Sequence, residues 1–278
     1  MMLTAKQVFD AFHEEGLLEE MIGPDNQIGR FDAIENVTDS SLVFVDNADL
    51  ATQLIEVSPV VIVTHIGLAE VFSELPSTTI LTSRNVRLAQ ALIRQRFADY
   101  DHRDHGCPRI HASAVIHESA EIADDVVIGA GVVIGRNVRI GSASIIKANT
   151  VLEQDVSIGN ECLLHPSVVI ANGCEIGDRV ILKSGCVIGM EGFGFAQDEN
   201  GRSHRIPQTG KVILENDVLM GSHCNVDRST WGETRIGAGC KFDAHCHIAH
   251  NVDIGEDCIM VAQSGVAGSV KLGKRVVI

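Results

Sequence analysis

Three histidines and an aspartate crowd one short run of the chain, Asp243-Ala244-His245-Cys246-His247-Ile248-Ala249-His250-Asn251. Imidazole titrates close to neutral pH, so a histidine is the natural general base for taking a proton from an amine or hydroxyl. A carboxylate within reach, such as Asp243, would fix the tautomer of that base. A second chemistry is open to the same residues. His245 and His250, five apart, with a third histidine such as His223 or His247, could hold zinc across a subunit interface. There is also a bland reading: a corner histidine on an acidic protein can simply be solvated. That reading is the stronger one for His245 and for His247 taken singly, and the weaker one for His250.

The elements that must position these residues are set by a six-residue beat. Aliphatic residues recur at Ile110, Ile116, Ile122, Ile128, Ile134, Ile140 and Ile146, and onward through Ile188. The beat returns at Leu214, Met220 and Val226, then runs from Ile236 through Phe242, Ile248 and Ile254 to Ile278. Four residues after each beat comes a small or β-branched side chain, as at Val126, Val132, Cys162, Cys186 and Cys246. A fixed hexapeptide period marks a parallel β-helix, in which each hexad is one short strand and a corner and three hexads close one coil. The phase puts His250 third in its hexad, at a corner facing out, and His247 last in the hexad before it. The expected fold is therefore mainly β, a parallel β-helix over 106–278, preceded by a small α/β domain over 1–105.

Composition narrows the function classes. Aromatics make up only 4% of the 278 residues, which suits a narrow core of Ile, Val, Leu and Cys. A formal charge of −15 argues against nucleic acid or an anionic membrane surface as partner. No apolar run is long enough to span a bilayer, and Met1 to Lys6 has no signal-peptide character, so the expected location is cytoplasmic. Seven of the eight cysteines (162, 174, 186, 224, 240, 246 and 258) fall on the inward small position, and no CxxC pair exists. Buried free cysteine behaves as a small apolar residue, so these are expected to fill the core in place of valine.

In the N-terminal domain the spacing predicts a helix from Thr4 towards Leu18. Strands are expected at Ser41–Val45, Val60–Thr64 and Thr79–Thr82, and a helix capped by Ser83 follows them. His102 and His105 in the polar stretch 101–108 read as solvated linker. The β-helix is broken twice. A long insertion over 194–213 carries Phe195, His204 and Gln208, and a shorter break over 232–235 follows Trp231. A long loop that the repeat does not need points to function, and the two breaks flank the coils richest in histidine.

Gly192-Phe193-Gly194-Phe195, Ile206-Pro207-Gln208-Thr209-Gly210-Lys211-Val212, Val226-Asp227-Arg228 and Ile248-Ala249-His250-Asn251-Val252-Asp253-Ile254-Gly255 carry a resemblance. In order and spacing they resemble the UDP-3-O-(3-hydroxyacyl)glucosamine N-acyltransferases of lipid A biosynthesis, the LpxD family. Phe44-Val45-Asp46-Asn47 and Asn85-Val86-Arg87-Leu88-Ala89 fit as well, so the similarity spans essentially the whole chain. It implies a left-handed coil and a homotrimer with an active site between neighbouring β-helices. It also implies transfer of a 3-hydroxyacyl chain from acyl carrier protein to the 2-amine of a UDP-acylglucosamine, with no cofactor. By this resemblance His250 is the general base and Asp243 orients it. Phe193, Gly194, Phe195, Gln208 and His247 line the substrate site, and Phe44 and Asn47 hold uracil.

Two departures stand out. Asn47-Ala48-Asp49-Leu50 replaces the family's Asn-Pro-Lys-Tyr, so the aromatic that sandwiches uracil is absent. The family also continues past the position of Ile278 with further coils, a second active-site histidine and C-terminal helices, so the expectation is a truncated chain or a divergent relative. Leu50 keeps open a related sugar acyltransferase that uses another nucleotide sugar or an acyl-CoA donor. The histidine cluster keeps open a trimeric zinc enzyme like the γ-class carbonic anhydrases, which share the hexapeptide repeat, and a non-catalytic scaffold of the same fold is the remaining alternative.

Overall fold

The computed structural model describes residues 3–103 and 108–278. It resolves into two compact units, one ending at Asp101 and the other starting at His102. The reading of His105 given above lies outside the described residues.

The first unit is a five-stranded mixed sheet with helices. Strands Arg30–Phe31, Ser41–Val45, Val61–Thr64 and Thr79–Thr82 run parallel, and Met21–Ile22 joins antiparallel at the edge. Helix α1 (Ala5–His13) is shorter than its apolar pattern suggested. Thr4 and Gln7 form a reciprocal capping box at its start, and Val8 and Phe12 bury against the sheet. Helix α2 (Ala48–Val57), which the apolar pattern did not predict, starts where the Asn47 side chain accepts the Leu50 N–H at 2.9 Å. Helix α3 (Val86–Phe97) is capped by Asn85 rather than Ser83. Ser83 is buried, and its hydroxyl donates to Leu17 O, so it ties the chain together instead of opening the helix.

The second unit is the β-helix, of the left-handed class expected for hexapeptide repeats. Its three flat faces are parallel sheets. The first runs from Val127–Ile128 to Ile259–Met260 in seven strands. The second runs from Val115–Ile116 to Gly265–Val266, and the third from Glu121–Ile122 to Lys271–Leu272, each in eight strands. Pairing is one coil apart, Ile146 against Leu164 and Leu164 against Leu182, so identical phases stack. The beat residues and the small residues form one continuous buried core. Removing a beat residue, as in Ile248→Ala, would cost about 2–5 kcal/mol in the usual range for core truncations.

The corners explain much of the polar sequence. Most are two-residue turns whose second residue adopts a left-handed conformation, as at Asn149 (φ 60°), His223 (φ 58°), His245 (φ 61°) and Asn251 (φ 62°). Asn and His tolerate that region better than most residues, so histidine at a corner has a conformational reason to be there. The seven inward cysteines are all buried and free. Their thiols also reach the next coil: Cys162 Sγ lies 3.0 Å from Gly177 O, and Cys246 Sγ 3.3 Å from Val261 O. Burial pushes the Cys162 and Cys240 thiols up to about 11, well away from the reactive thiolate.

Candidate active site

The site forms where the second face meets the corner after it, and the repeat breaks twice just there. Val187–Glu191 runs on past its repeat length, with a register shift at Gly189. Glycine is required at that point, because at φ 87° any Cβ would lie 2.2 Å from Cys174 Sγ. Arg228, 7% exposed, fixes the bulge by donating from Nε to Gly189 O at 2.5 Å and from Nη2 to Asn172 O at 3.0 Å. The chain then leaves the β-helix as an antiparallel hairpin, Phe195–Gln197 against Ser203–Arg205. The insertion is narrower than expected, because Lys211–Leu214 already pairs with Glu233–Ile236 as lengthened strand. The extra residues of the second break are thereby partly absorbed into the sheet.

His250 is the first residue of its corner and is held on both faces. A Cβ placed on Gly192 would lie 3.0 Å from His250 Cβ and Cδ2, and one on Gly268 would lie 2.7 Å from Cε1 and 2.8 Å from Nε2. Bare backbone from two other coils therefore clamps the ring. Its tautomer follows from hydrogen bonding. Asn251 Oδ1 accepts the Thr230 backbone N–H at 3.1 Å, which identifies that atom as oxygen. His250 Nδ1 lies 3.1 Å from the same oxygen and must donate to it, which leaves Nε2 with its lone pair available. The network continues outward. The Thr230 hydroxyl lies 2.9 Å from Gln208 Oε1, and Gln208 Nε2 donates to Ile206 O at 3.1 Å. An insertion residue is thus wired to the candidate base.

The structure sorts the residues expected at the site. Gln208, 4% exposed, supports the network from within and does not line an open wall. Gly194 packs against it, since a Cβ there would come 2.7 Å from Gln208 Nε2. Phe193 (87% exposed) and Phe195 (48%) stand at the surface with ring centroids 4.8 Å apart. His247 accepts from Asn225 Nδ2 at 3.1 Å, and its Nε2 lies 3.7 Å from Asp227 Oδ2.

Asp243 is not brought to His250 within the chain. It lies at the preceding corner, at the other end of strand His247–Ile248, where its Oδ1 accepts the Ala244 N–H at 2.7 Å. The physical reason is that seven residues span more than one hexad, so the two face different corners. The nearby carboxylate is Asp227, on the coil just before and only 7% exposed, whose Oδ2 would lie 3.3 Å from a Cβ on Gly192. Burial raises its pKa, against the lowering effects of Asn225, His247 and His250. Asn251, Thr230, Asp227 and Gly268 were not singled out as site residues from sequence, although two of them sit inside the motifs that carry the resemblance. The signal for Gly268 was its distance of 18 from His250, one coil.

The zinc reading has no geometric support among the described residues, where no group of three or more His, Cys, Asp or Glu could hold a metal ion. His245 instead stacks on His223, with centroids 5.3 Å apart and planes 11° from parallel. In the first unit Asn47 Oδ1 is engaged as the α2 cap, and Phe44 and Leu50 are half-buried against apolar clusters of that unit.

A parallel hexapeptide β-helix with an outward corner histidine, a free Nε2 and a hairpin insertion beside it defines a hexapeptide-repeat acyltransferase. Comparison with known proteins agrees. The family model described as bacterial transferase hexapeptide (six repeats) matches residues 233–268, and that of the GMPPB C-terminal domain matches 106–192. A UDP-3-O-acylglucosamine N-acyltransferase of Methylococcus capsulatus is 47% identical over all of this chain and 78% of its own length. The enzyme of that name from an Anaeromyxobacter species is 46% identical over 74% of this chain and 59% of its own length. Among solved structures, the Arabidopsis UDP-N-acetylglucosamine acyltransferase superposes with a TM-score of 0.53 at 25% identity, over 59% of this chain and 57% of that one. The chain belongs to the UDP-3-O-acylglucosamine N-acyltransferase family, LpxD. Among the described residues no helix is long and apolar enough to cross a membrane.

Proposed function

We propose that the protein transfers a 3-hydroxyacyl chain from acyl carrier protein to the 2-amine of UDP-3-O-acylglucosamine, acting as a homotrimer in the cytoplasm. The observation that carries the chemistry is His250, with Nδ1 donating to Asn251 and Nε2 left to accept a proton. In this reading Nε2 takes the amine proton as nitrogen attacks the thioester carbonyl carbon. The tetrahedral oxyanion needs a donor, and the Gly268 N–H, on the adjacent coil against the ring, is the candidate. Collapse breaks the C–S bond, and the imidazolium returns its proton to the departing thiolate, giving an amide and a free carrier thiol. Asp227 steadies the imidazolium from behind, and Asn251 holds the ring through the proton cycle. The exposed Phe193–Phe195 pair supplies apolar surface for an acyl chain or a neighbouring subunit.

The test is to incubate the purified protein with 3-hydroxyacyl carrier protein and UDP-3-O-acylglucosamine and follow the product by mass spectrometry. Absence of N-acylated product, with acetyl-CoA accepted in its place, would move the protein to another sugar acyltransferase. Sedimentation as a stable monomer at micromolar concentration would defeat the trimer. Leu50 bears on the nucleotide. Restoring an aromatic by Leu50→Tyr is expected to tighten UDP-sugar binding about tenfold in calorimetry, the worth of one aromatic pair. No change would mean that the first unit recognises something else.

A further inference from the structure

A second cluster of chemistry-bearing side chains lies on the β-helix away from His250. On the first face, the residue that follows each strand stands at the corner, one coil from its counterpart. Three successive coils put Lys147, His165 and Lys183 there, after strands Ile145–Ile146, Leu163–Leu164 and Ile181–Leu182. All three are half-buried. Lys183 Nζ is 3.4 Å from His165 Nε2, and Lys147 Nζ is 2.9 Å from His102 Nδ1. The His102 and His165 rings meet edge to face at 5.4 Å. An ammonium can only donate, so both imidazoles accept and are neutral in this arrangement.

Such a stack is costly in itself. Burial, then Lys183, Lys147 and His102, pushes His165 down to about 4. Burial and then Lys183 lower Lys147. Lys183 makes no salt bridge to any described carboxylate, in a chain with a formal charge of −15. The next position along the corner is Gly221, where a side chain would collide with Asp243 backbone 2.5 Å away. The missing side chain leaves an open notch of about 590 Å³ beside Lys183, lined also by Lys241 and Asp243 and floored by Leu219, Phe242 and Met260. The half-buried basic column reaches this notch through Lys183, and a basic cluster at an open notch has the chemistry of an anion receptor.

We propose that Lys183, His165 and Lys147 form a binding site for a phosphate dianion, distinct from the His250 site. The proposal does not depend on the acyl-transfer reading. The phosphate could be free or belong to a nucleotide diphosphate, and these two sources are separable by experiment. The test is histidine NMR of the full chain at low ionic strength near neutral pH, with the His165 signal assigned by its loss in His165→Gln. Inorganic phosphate, pyrophosphate and UDP are titrated in turn. The expected result is a saturable shift of the His165 signal and an upward move of its titration midpoint, because a bound anion favours the imidazolium. Lys183→Met should weaken binding about tenfold or more, the worth of a charged hydrogen bond, and Lys183→Arg should keep most of it. Tighter binding of UDP than of inorganic phosphate, lost in Lys183→Met, would assign the site to a nucleotide. Binding of inorganic phosphate and pyrophosphate without UDP would assign it to the free anion. Absence of saturation before salt screening takes over, or equal binding by folded Lys183→Met, would overturn the proposal.

Discussion

Strand His247–Ile248 has a histidine-bearing corner at each end, and the two ends differ in everything but residue type. At the entry, His245 is exposed and stacked on His223 of the coil before, with solvent around the pair. At the exit, His250 is clamped between Gly192 and Gly268, tied to Asn251 and through it to Thr230, and backed by buried Asp227. The entry corner obeys the repeat, whereas the exit corner lies beside both breaks in it. The contrast teaches that a β-helix offers histidine many corners of equal backbone geometry, and that an insertion turns one of them into a site by supplying fixed neighbours. Preorganisation of this kind is what a general base requires.

The comparison is open to direct attack, and the largest effect belongs to the exit corner. His250→Ala should lower turnover by about 10² to 10⁴, the usual worth of a positioned acid–base group, with little loss of folding stability. His245→Ala should leave turnover close to wild type in the same assay. Retained activity in the first and loss in the second would exchange the roles of the two corners.

Next comes the clamp. Gly192→Ala brings a methyl to 3.0 Å from the His250 side chain and should displace it. Steady-state kinetics should show up to about a 10²-fold fall in kcat, since small misplacements near the chemistry carry that cost. The same change at Gly173 (φ 72°), which has nothing within 4 Å of its missing Cβ, should cost backbone strain but no activity.

Asn251→Ala removes the acceptor for Nδ1 and should lower kcat about tenfold or more while KM changes little, because ring orientation and tautomer are lost but substrate contacts remain. Thr230→Val, one step further out, should cost less than Asn251→Ala. An equal loss in both would show that the wire, not its last member, sets the base. The smallest effect is expected between the two corners. Cys246→Val, a nearly isosteric swap at an inward position, should cost below about 1.5 kcal/mol in denaturant unfolding and leave both corners intact. Rapid labelling of Cys246 by a thiol reagent in the native state would contradict its burial.

Much of this was readable before any coordinates. The beat from Ile110 onward needed only a period and a phase, because each hexad repeats one local geometry and stacking copies it. Asn47 and Asn85 were harder. A cap is decided by one hydrogen bond, and Ser83, of equal propensity two residues earlier, was drawn into the core by Leu17 O. Within the site, His250 could be placed at an outward corner by counting. Its partners could not, because Gly192, Asp227, Asn251 and Gly268 come from different coils, and the insertion changes how many residues separate them.

The sequence by itself determined the β-helix, the inward cysteines and the outward corner histidine, since all three follow from a local six-residue rule that every coil obeys. The tertiary structure decided which carboxylate stands near His250, that Gln208 is a buried support, and that Lys147, His165 and Lys183 share one corner. These relations join residues 18 or more apart, across coils and insertions. No local propensity encodes them, because they arise only when parallel pairing fixes the register of one coil on the next.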